Sequence, residues 1–282
     1  MKKVKYENTD IKIKEVQKVQ VEILLEINKV CQLNNINYQL FAGTLLGTIR
    51  HEGFIPWDDD IDICMLRKDY NRFLKICKYQ LGSDFFLQTN STDKNYIIQF
   101  AKIRKNNTLF VENSLSELDI HHGVFIDIFP LDNVEPFTFQ GAVQQKLLHF
   151  IWRINLLRVK KLCLNTDSLL EKYIRLIGHY LLKLIPKSWT NNLHYTTACW
   201  FKKKDTEFVS HLTNGTPRRK YLQYLIKRKE LEDSVEKKFE GNYFPTPRNY
   251  HVILTKIYGD YMQYPPLEQQ KPHHEISRIE LN

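Results

Sequence analysis

The chain contains no Cys-x-x-Cys pair, and its five cysteines, Cys31, Cys64, Cys77, Cys163 and Cys199, are odd in number and scattered over 282 residues. That argues against a disulfide scaffold or a zinc finger and for a reducing compartment. Long hydrophobic runs are missing too. The most apolar stretch, Tyr173 to Ile185, is broken by Arg175, His179 and Lys183, so it is too short and too charged to span a bilayer. Met1-Lys2-Lys3-Val4-Lys5 is not followed by an apolar segment, so no signal peptide is expected. There are no internal repeats and no low-complexity segments, and little beyond roughly ten residues at either end reads as disordered. The net charge of +9 is spread along the chain without a long Lys/Arg block. A polyanionic partner follows from that charge, but the lack of a block weighs against nucleic acid and leaves an acidic membrane face or phosphorylated substrates.

What is present supports a substantial core: 43% of residues are apolar, enough for one large domain or two small ones. Val16, Val19, Ile23, Ile27 and Val30 recur at helical spacing and predict a helix over about 11–31. Tyr38 to Ala42 reads as a strand broken by Gly43-Thr44. A short helix over 45–50, a strand over 60–66 and an amphipathic helix over 67–81 follow. Residues 85–88, 97–103 and 109–111 read as strands, and so does 124–129, with Pro130 as its stop. After Pro136 the composition changes. Residues 138–163, 167–185 and 189–203 give helical patterns rich in Leu, Ile, Lys and Arg. Beyond Gly215-Thr216-Pro217 come a charged stretch and a short helix near 247–258. The expected organisation is α+β: a catalytic core with an N-terminal helix over 1–137, then a mainly helical substrate or acceptor region over 138–282, its part near 240–275 packing back on the core.

The chemistry centres on Asp58-Asp59-Asp60-Ile61-Asp62, approached through Phe54-Ile55-Pro56-Trp57. Four carboxylates in five residues repel one another, and their flanks (Ile61, Ile63, Met65) are apolar rather than solvated. Such a cluster is stable where a divalent cation neutralises it. On a strand, Asp60 and Asp62 share one face, with Asp58 in the same parity if the chain stays extended, while Asp59 points elsewhere. Asp127, inside Gly123-Val124-Phe125-Ile126-Asp127-Ile128-Phe129, is a lone carboxylate in an apolar strand and needs a cation or hydrogen bonds. It can share the metal or take a proton from an attacking hydroxyl. Gly43-Thr44, after a strand, can admit a phosphate to the backbone and the Thr hydroxyl.

Gly43-Thr44-Leu45-Leu46-Gly47, Arg50-His51 and Gly53-Phe54-Ile55-Pro56-Trp57-Asp58-Asp59-Asp60-Ile61-Asp62 together resemble the signature of the LicD family of phosphorylcholine transferases, relatives of the fukutin-type proteins. Gly123 to Pro130 and Tyr258-Gly259-Asp260-Tyr261 resemble its later motifs. The resemblance runs over about 33–135 and returns near 240–275. It implies a nucleotidyltransferase fold of the DNA polymerase β type, with a mixed-sheet core. It also implies a reaction in which a sugar hydroxyl of a surface glycan (lipopolysaccharide, teichoic acid or capsule) attacks a CDP-activated alcohol such as CDP-choline and expels CMP. By motif position Asp60, Asp62 and Asp127 are the catalytic acids. They bind Mg²⁺ together with Asp58, with Mn²⁺ as the alternative ion. Gly43, Thr44, Arg50, Trp57, Lys102 and Arg104 are the candidate substrate contacts. For Lys102 and Arg104 a solvated strand edge is an equal reading, for Trp57 a packing role is an alternative to a wall for a cationic head group, and His51, His273 and His274 read as loop or surface residues.

The implied partners are a CDP-alcohol and a glycan or lipid-linked oligosaccharide, without nucleic acid, in the cytoplasm or at the inner face of the membrane. The basic helices between 138 and 203 have two readings, an internal packing role and peripheral contact with an acidic membrane. In 168–185 the stripe of Glu171, Arg175, His179 and Lys183 beside an otherwise apolar surface suits a helix buried on most sides. Two competing functions are a nucleotide-sugar glycosyltransferase with Asp58-Asp59-Asp60 as its D-x-D, and a non-catalytic basic protein that binds membrane or nucleic acid.

Overall fold

The computed structural model describes residues 7–213 and 217–281. Gly215 and Thr216, which precede the charged stretch in the sequence, lie outside the described residues. The apolar stripe of the first segment sits on α1 (Glu7–Leu33), which lies across one face of the main sheet. β1 (Gln39–Leu40) runs almost directly into α2 (Ala42–His51), so Gly43-Thr44 occupy the first turn of a helix instead of a break before one. β2 (Asp62–Leu66) starts at the last acid of the cluster, two residues later than the sequence pattern predicts; Asp58–Ile61 form an irregular approach to it. Then come α3 (Arg67–Gln80), which buries Tyr70, Phe73 and Cys77, and the strands β3 (Phe85–Gln88), β4 (Ala101–Lys105), β5 (Leu109–Glu112) and β6 (Phe125–Val134).

Pro130 does not stop β6. On one flank β4 pairs with residues 125–128, and β7 (Phe208–Ser210) takes over at 132–134. Residues 129–131 lie between these two ladders, so the missing N–H of Pro130 breaks no bond on that side. On the other flank β2 runs parallel to β6, with Asp62 opposite Asp127 and Met65 opposite Pro130.

The helical segment expected over 138–163 is divided into α4 (Phe139–Leu156) and α5 (Lys160–Leu164). The turn between them is held by tertiary bonds that periodicity does not carry. Arg158 donates to the carbonyls of Leu182 and Ile185, and the Leu157 carbonyl meets His179 Nδ1 at 2.8 Å. α6 (Leu169–Leu182) and α7 (Lys187–Ala198) follow. The pattern of α6 predicts burial on most sides. The structure instead turns Arg175, His179 and Leu182 inward and leaves Leu170, Tyr173, Ile174, Ile177 and Leu181 between 58% and 72% exposed.

The later chain is less helical than expected. Besides β7 it holds α8 (Arg218–Gln223), β8 (Ile226–Lys227), α9 (Lys229–Glu232), β9 (Ser234–Phe239), β10 (Asn242–Pro247), α10 (Tyr250–Tyr258) and β11 (Ile276–Glu280). β9 and β10 form a hairpin, and both of its turn residues, Glu240 and Gly241, have positive φ (48° and 79°), the geometry that matches strand twist. Ser-Val-Glu-Lys-Lys-Phe in β9 is too charged to announce a strand.

The main sheet has the order β1-β2-β6-β4-β3, extended by β7 and β8 along the far half of β6. Only β2 and β6 are parallel, so the sheet is mixed and the class is α+β. One core, containing Ile23, Ile27, Ile63, Phe73, Ile103 and Ile126, fills the space under α1 and α3. A second, containing Leu45, Cys64, Phe129, Leu131 and Leu254, lies under α2 and α10, and a smaller third gathers Val134, Leu148, Ala198, Leu212, Tyr221 and Leu225. Strand alternation therefore turns Asp62, in phase with Cys64, and Asp127, in phase with Phe129, toward the α2 side.

Candidate active site

Five acids converge where α2, β2 and β6 begin. The Phe41 amide donates to Asp62 O (2.9 Å), the Asp127 amide to Ile61 O (2.9 Å), and the Asp62 amide to Thr44 Oγ1 (2.8 Å). Thr44 thus fixes the acidic strand from within α2. Gly43 is needed for close approach: a Cβ there would stand 2.9 Å from Asp58 Oδ2. The backbone beside it is strained, because Ala42 takes φ +44° at the first helical position. Gly47 is tighter still, since its Cβ would meet the Gly53 carbonyl at 2.5 Å.

Two residues that sequence reasoning missed hold the acidic loop from behind. Gln17 Nε2 donates to Asp58 O (2.8 Å) and Gln20 Nε2 to Asp59 O (2.9 Å). Gln20 is wholly buried within the apolar stripe of α1. A polar residue at a core position of that stripe was the available signal.

Asp58, Asp59, Asp60 and Asp127 are buried, and Asp62 is half-buried. Among the described residues, Asp58, Asp59, Asp60 and His273 present ligand atoms all within 4.8 Å of one another. Burial, then the charges of Asp60 and Asp59, push the Asp58 carboxyl well up. Burial, then Asp60, Asp127 and Asp58, do the same to Asp62. Asp127 rises to about 6: burial, Asp60 and Glu112 lift it, and Lys102 opposes them. Lys102 Nζ lies 3.0 Å from Asp127 Oδ1, yet without hydrogen-bond geometry, so this buried oxygen has no donor.

These features suit an oxygen-seeking divalent cation. Three of the four donors are carboxylates and the fourth is His273; the carboxylates are crowded, and a buried acceptor nearby, Asp127 Oδ1, is unsatisfied. Asp59 is the exception. Its Oδ1 accepts from the His273 amide (3.1 Å) and His274 Nδ1 (3.2 Å), and its Oδ2 from the His274 amide (3.2 Å). Its oxygens anchor the C-terminal segment, which β11 pins to β5.

The surface reading of His274 fails for that reason. Its ring sits between Asp59, Asp60 and Glu112, although all three lie far from it in the sequence. Burial alone would lower its pKa, but the hydrogen bond to Asp59 and the charges of Asp60, Asp59 and Glu112 raise it to about 9.

Lys102 and Arg104 are not on a solvated edge: β4 lies between β6 and β3. Lys102 is buried between Asp127 and Glu112 (3.4 Å), with Nζ 3.3 Å from the centre of the Phe125 ring. Arg104, fully buried, bonds Gln88, the Gly123 carbonyl (2.6 Å) and Glu112 (3.5 Å). Burial disfavours the Glu112 anion, but Lys102, Arg104 and His274 outweigh it and hold the carboxyl down at about 2.

At the rim, Arg50 donates to the carbonyls of Tyr261 (3.0 Å) and Gln263 (3.2 Å) and lies over the Tyr264 ring at 4.8 Å. Trp57 packs against the α2-side core, with its ring 6.3 Å from that of Tyr264. The Tyr258 phenol, on a residue 39% exposed overall, is pushed up by desolvation around it, then by Tyr224 and by the charges of Asp62, Asp58 and Asp60.

Residues 35–153 match the family described as LicD/FKTN/FKRP, nucleotidyltransferase domain. A curated relative, the lipopolysaccharide cholinephosphotransferase LicD of Haemophilus influenzae, is 29% identical over 265 residues, covering 93% of this chain and 96% of its own.

Over residues 35–153 the chain is similar to the LicD family.

Shorter likenesses occur to uncharacterized proteins of Rickettsia typhi (40% identical over 55 residues, 20% of this chain and 18% of that one) and Rickettsia prowazekii (42% over 48 residues, 17% and 18%). The LicD-family match contains Gly43, Thr44, the acidic cluster, Lys102 and Asp127; the His273-His274 segment that closes over Asp59 lies beyond it.

Proposed function

We propose that this chain is a LicD-family, metal-dependent phosphotransferase. It moves phosphorylcholine, or a related alcohol phosphate, from a CDP-activated donor to a sugar hydroxyl of a surface glycan. The observation that carries the reading is the crowded carboxylate set with its unsatisfied Asp127 oxygen, in a chain similar over nearly its whole length to a lipopolysaccharide cholinephosphotransferase. The proposed fold is the nucleotidyltransferase type.

In this reading Asp58, Asp60 and Asp62, with Asp127 at their side, would hold Mg²⁺, or Mn²⁺ in its place, and the cation would supply positive charge against the diphosphate. Asp127 accepts the proton of the acceptor hydroxyl as its oxygen bonds to the distal phosphorus and the bond to CMP breaks; CMP leaves as the anion. A carboxyl near 6 is poised for that role. Lys102 stays on Asp127 and Glu112 as an internal counter-charge, and Arg104 braces that pair. Gly43 and the first turn of α2 present backbone N–H groups to a donor phosphate. Arg50 shapes the rim through the chain around Tyr261, and Trp57 lines it on the donor side. Residues 1–137 carry the chemistry and 138–282 the acceptor side, with His273-His274 returning to the cluster. A CDP-activated donor places the reaction in the cytoplasm.

The double substitution Asp60→Asn with Asp62→Asn tests this. CMP release from CDP-choline should fall by on the order of a thousandfold while the circular dichroism spectrum is retained. Undiminished release by the double variant would remove these residues from the chemistry.

A further inference from the structure

α6 is built the wrong way round for a helix of a water-soluble subdomain. Its inward face is small and partly polar: Arg175 donates to Leu162 O, His179 Nδ1 meets Leu157 O, Leu182 is buried beside them, and both carbonyls lie on or beside α5. Its outward stripe is apolar. Leu170, Ile174, Ile177 and Leu181 follow i, i+4, i+7, i+11, Leu184 continues the spacing in the turn just past the helix, and each is between 58% and 81% exposed. Trp189, at the start of α7, is 71% exposed beside it. Scattered exposed apolar residues need no explanation, but a contiguous stripe on one helix marks an interaction surface. The helix does not cross a membrane: among the described residues none is long and apolar enough.

Charge selects the occupant. Residues 141–204 hold twelve Lys/Arg against two Asp/Glu, a net of +10, whereas the whole chain carries +9. The positive excess that looks dispersed along the sequence therefore belongs entirely to this helical region. A second copy of the same face would bring like charges together, whereas an anionic lipid surface offers complementary ones. The aromatic side chains Tyr173, Tyr180 and Trp189 suit the headgroup boundary.

We propose that α6, with the start of α7, lies in the plane of an anionic bilayer and inserts its apolar stripe below the headgroups. The neighbouring geometry gives this docking a use. A cleft of about 540 Å³ is lined on one side by Lys161, Leu162 and Leu164 of α5, which packs on α6, and on the other by Glu112, His273 and His274 at the acidic cluster. An acceptor held in the bilayer by a lipid is thereby presented toward the acids.

The surface claim stands apart from the transferase reading and is tested without turnover. The full chain is co-floated with vesicles of phosphatidylglycerol mixed with phosphatidylcholine, and with vesicles of phosphatidylcholine alone. The wild-type chain should float with the anionic vesicles and lose that binding in high salt. Ile174→Glu with Leu181→Glu, both at exposed positions, should weaken binding by roughly a hundredfold with an unchanged melting temperature. Equal binding by wild type and double variant, or no binding by wild type, would overturn the proposal. So would a dimer of the free protein, seen by sedimentation velocity, that the double variant abolishes, since that assigns the face to a second copy.

Discussion

Gly43 and Gly47 sit four residues apart on α2 and are constrained by different neighbours. A methyl at Gly43 collides with the Asp58 carboxylate, the end of a flexible side chain that can move; a methyl at Gly47 collides with the backbone at Gly53, which cannot. Gly43→Ala should therefore leave the melting temperature nearly unchanged and lower kcat by roughly tenfold or more, because a proposed ligand is displaced. Gly47→Ala should cost about 1–3 kcal/mol of stability, read from urea unfolding. At this scale the acids were legible in the sequence because crowded carboxylates beside apolar residues have few explanations. Asp59 was assigned away from the ligand set on strand parity, and the hydrogen bonds that occupy it come from His273 and His274, more than two hundred residues on. No local pattern carries that contact, and it is also what takes His274 off the surface.

Among elements, the long apolar periodicities read well: α1 and α3 lie close to where spacing puts them. Elements defined by tertiary partners did not. β6 passes through Pro130 because β7, eighty residues later, picks up the ladder beyond it. β8, β9 and β11 are short or charged and exist through their pairing. The seam between β6 and β7 also stores two neutral histidines. His211 is packed among the rings of Phe41, Phe129 and Tyr224, and burial lowers it to about 4. His194, on α7, is likewise lowered to about 4 by burial, against a bond to the Leu212 carbonyl. Both pKa values are depressed on folding, so the unfolded chain binds more protons between its ordinary value near 6.5 and about 4. Their contribution to stability is present above about 6.5 and is lost as pH falls through that window. Thermal melts across it should show a falling midpoint, and His194→Gln with His211→Gln should flatten that slope. A slope identical in the double variant would assign the acid sensitivity to other groups.

For the whole molecule, the α+β class was legible from the change of composition near residue 137, whereas the amount of strand beyond it was not. The sheet of the first half continues into the second through β7 and β8, and the last segment returns to the acids. Charge and apolar surface are divided in the same way: acids converge at the mouth of β2 and β6, and basic residues with the exposed face of α6 lie in the helical region. This arrangement fits a CDP-activated donor at one end and a lipid-held glycan at the other. The central claim is the donor chemistry, and the most direct measurement is nucleotide release with Mg²⁺ across CDP-choline, CDP-ethanolamine, CDP-glycerol, CDP-ribitol and UDP- and GDP-sugars. The predicted result is Mg²⁺-dependent release of CMP from a CDP-alcohol, choline foremost, and no release of UDP or GDP from the sugar donors. Release of UDP or GDP with CDP-alcohols left intact would contradict the account and make the acidic cluster a glycosyltransferase site.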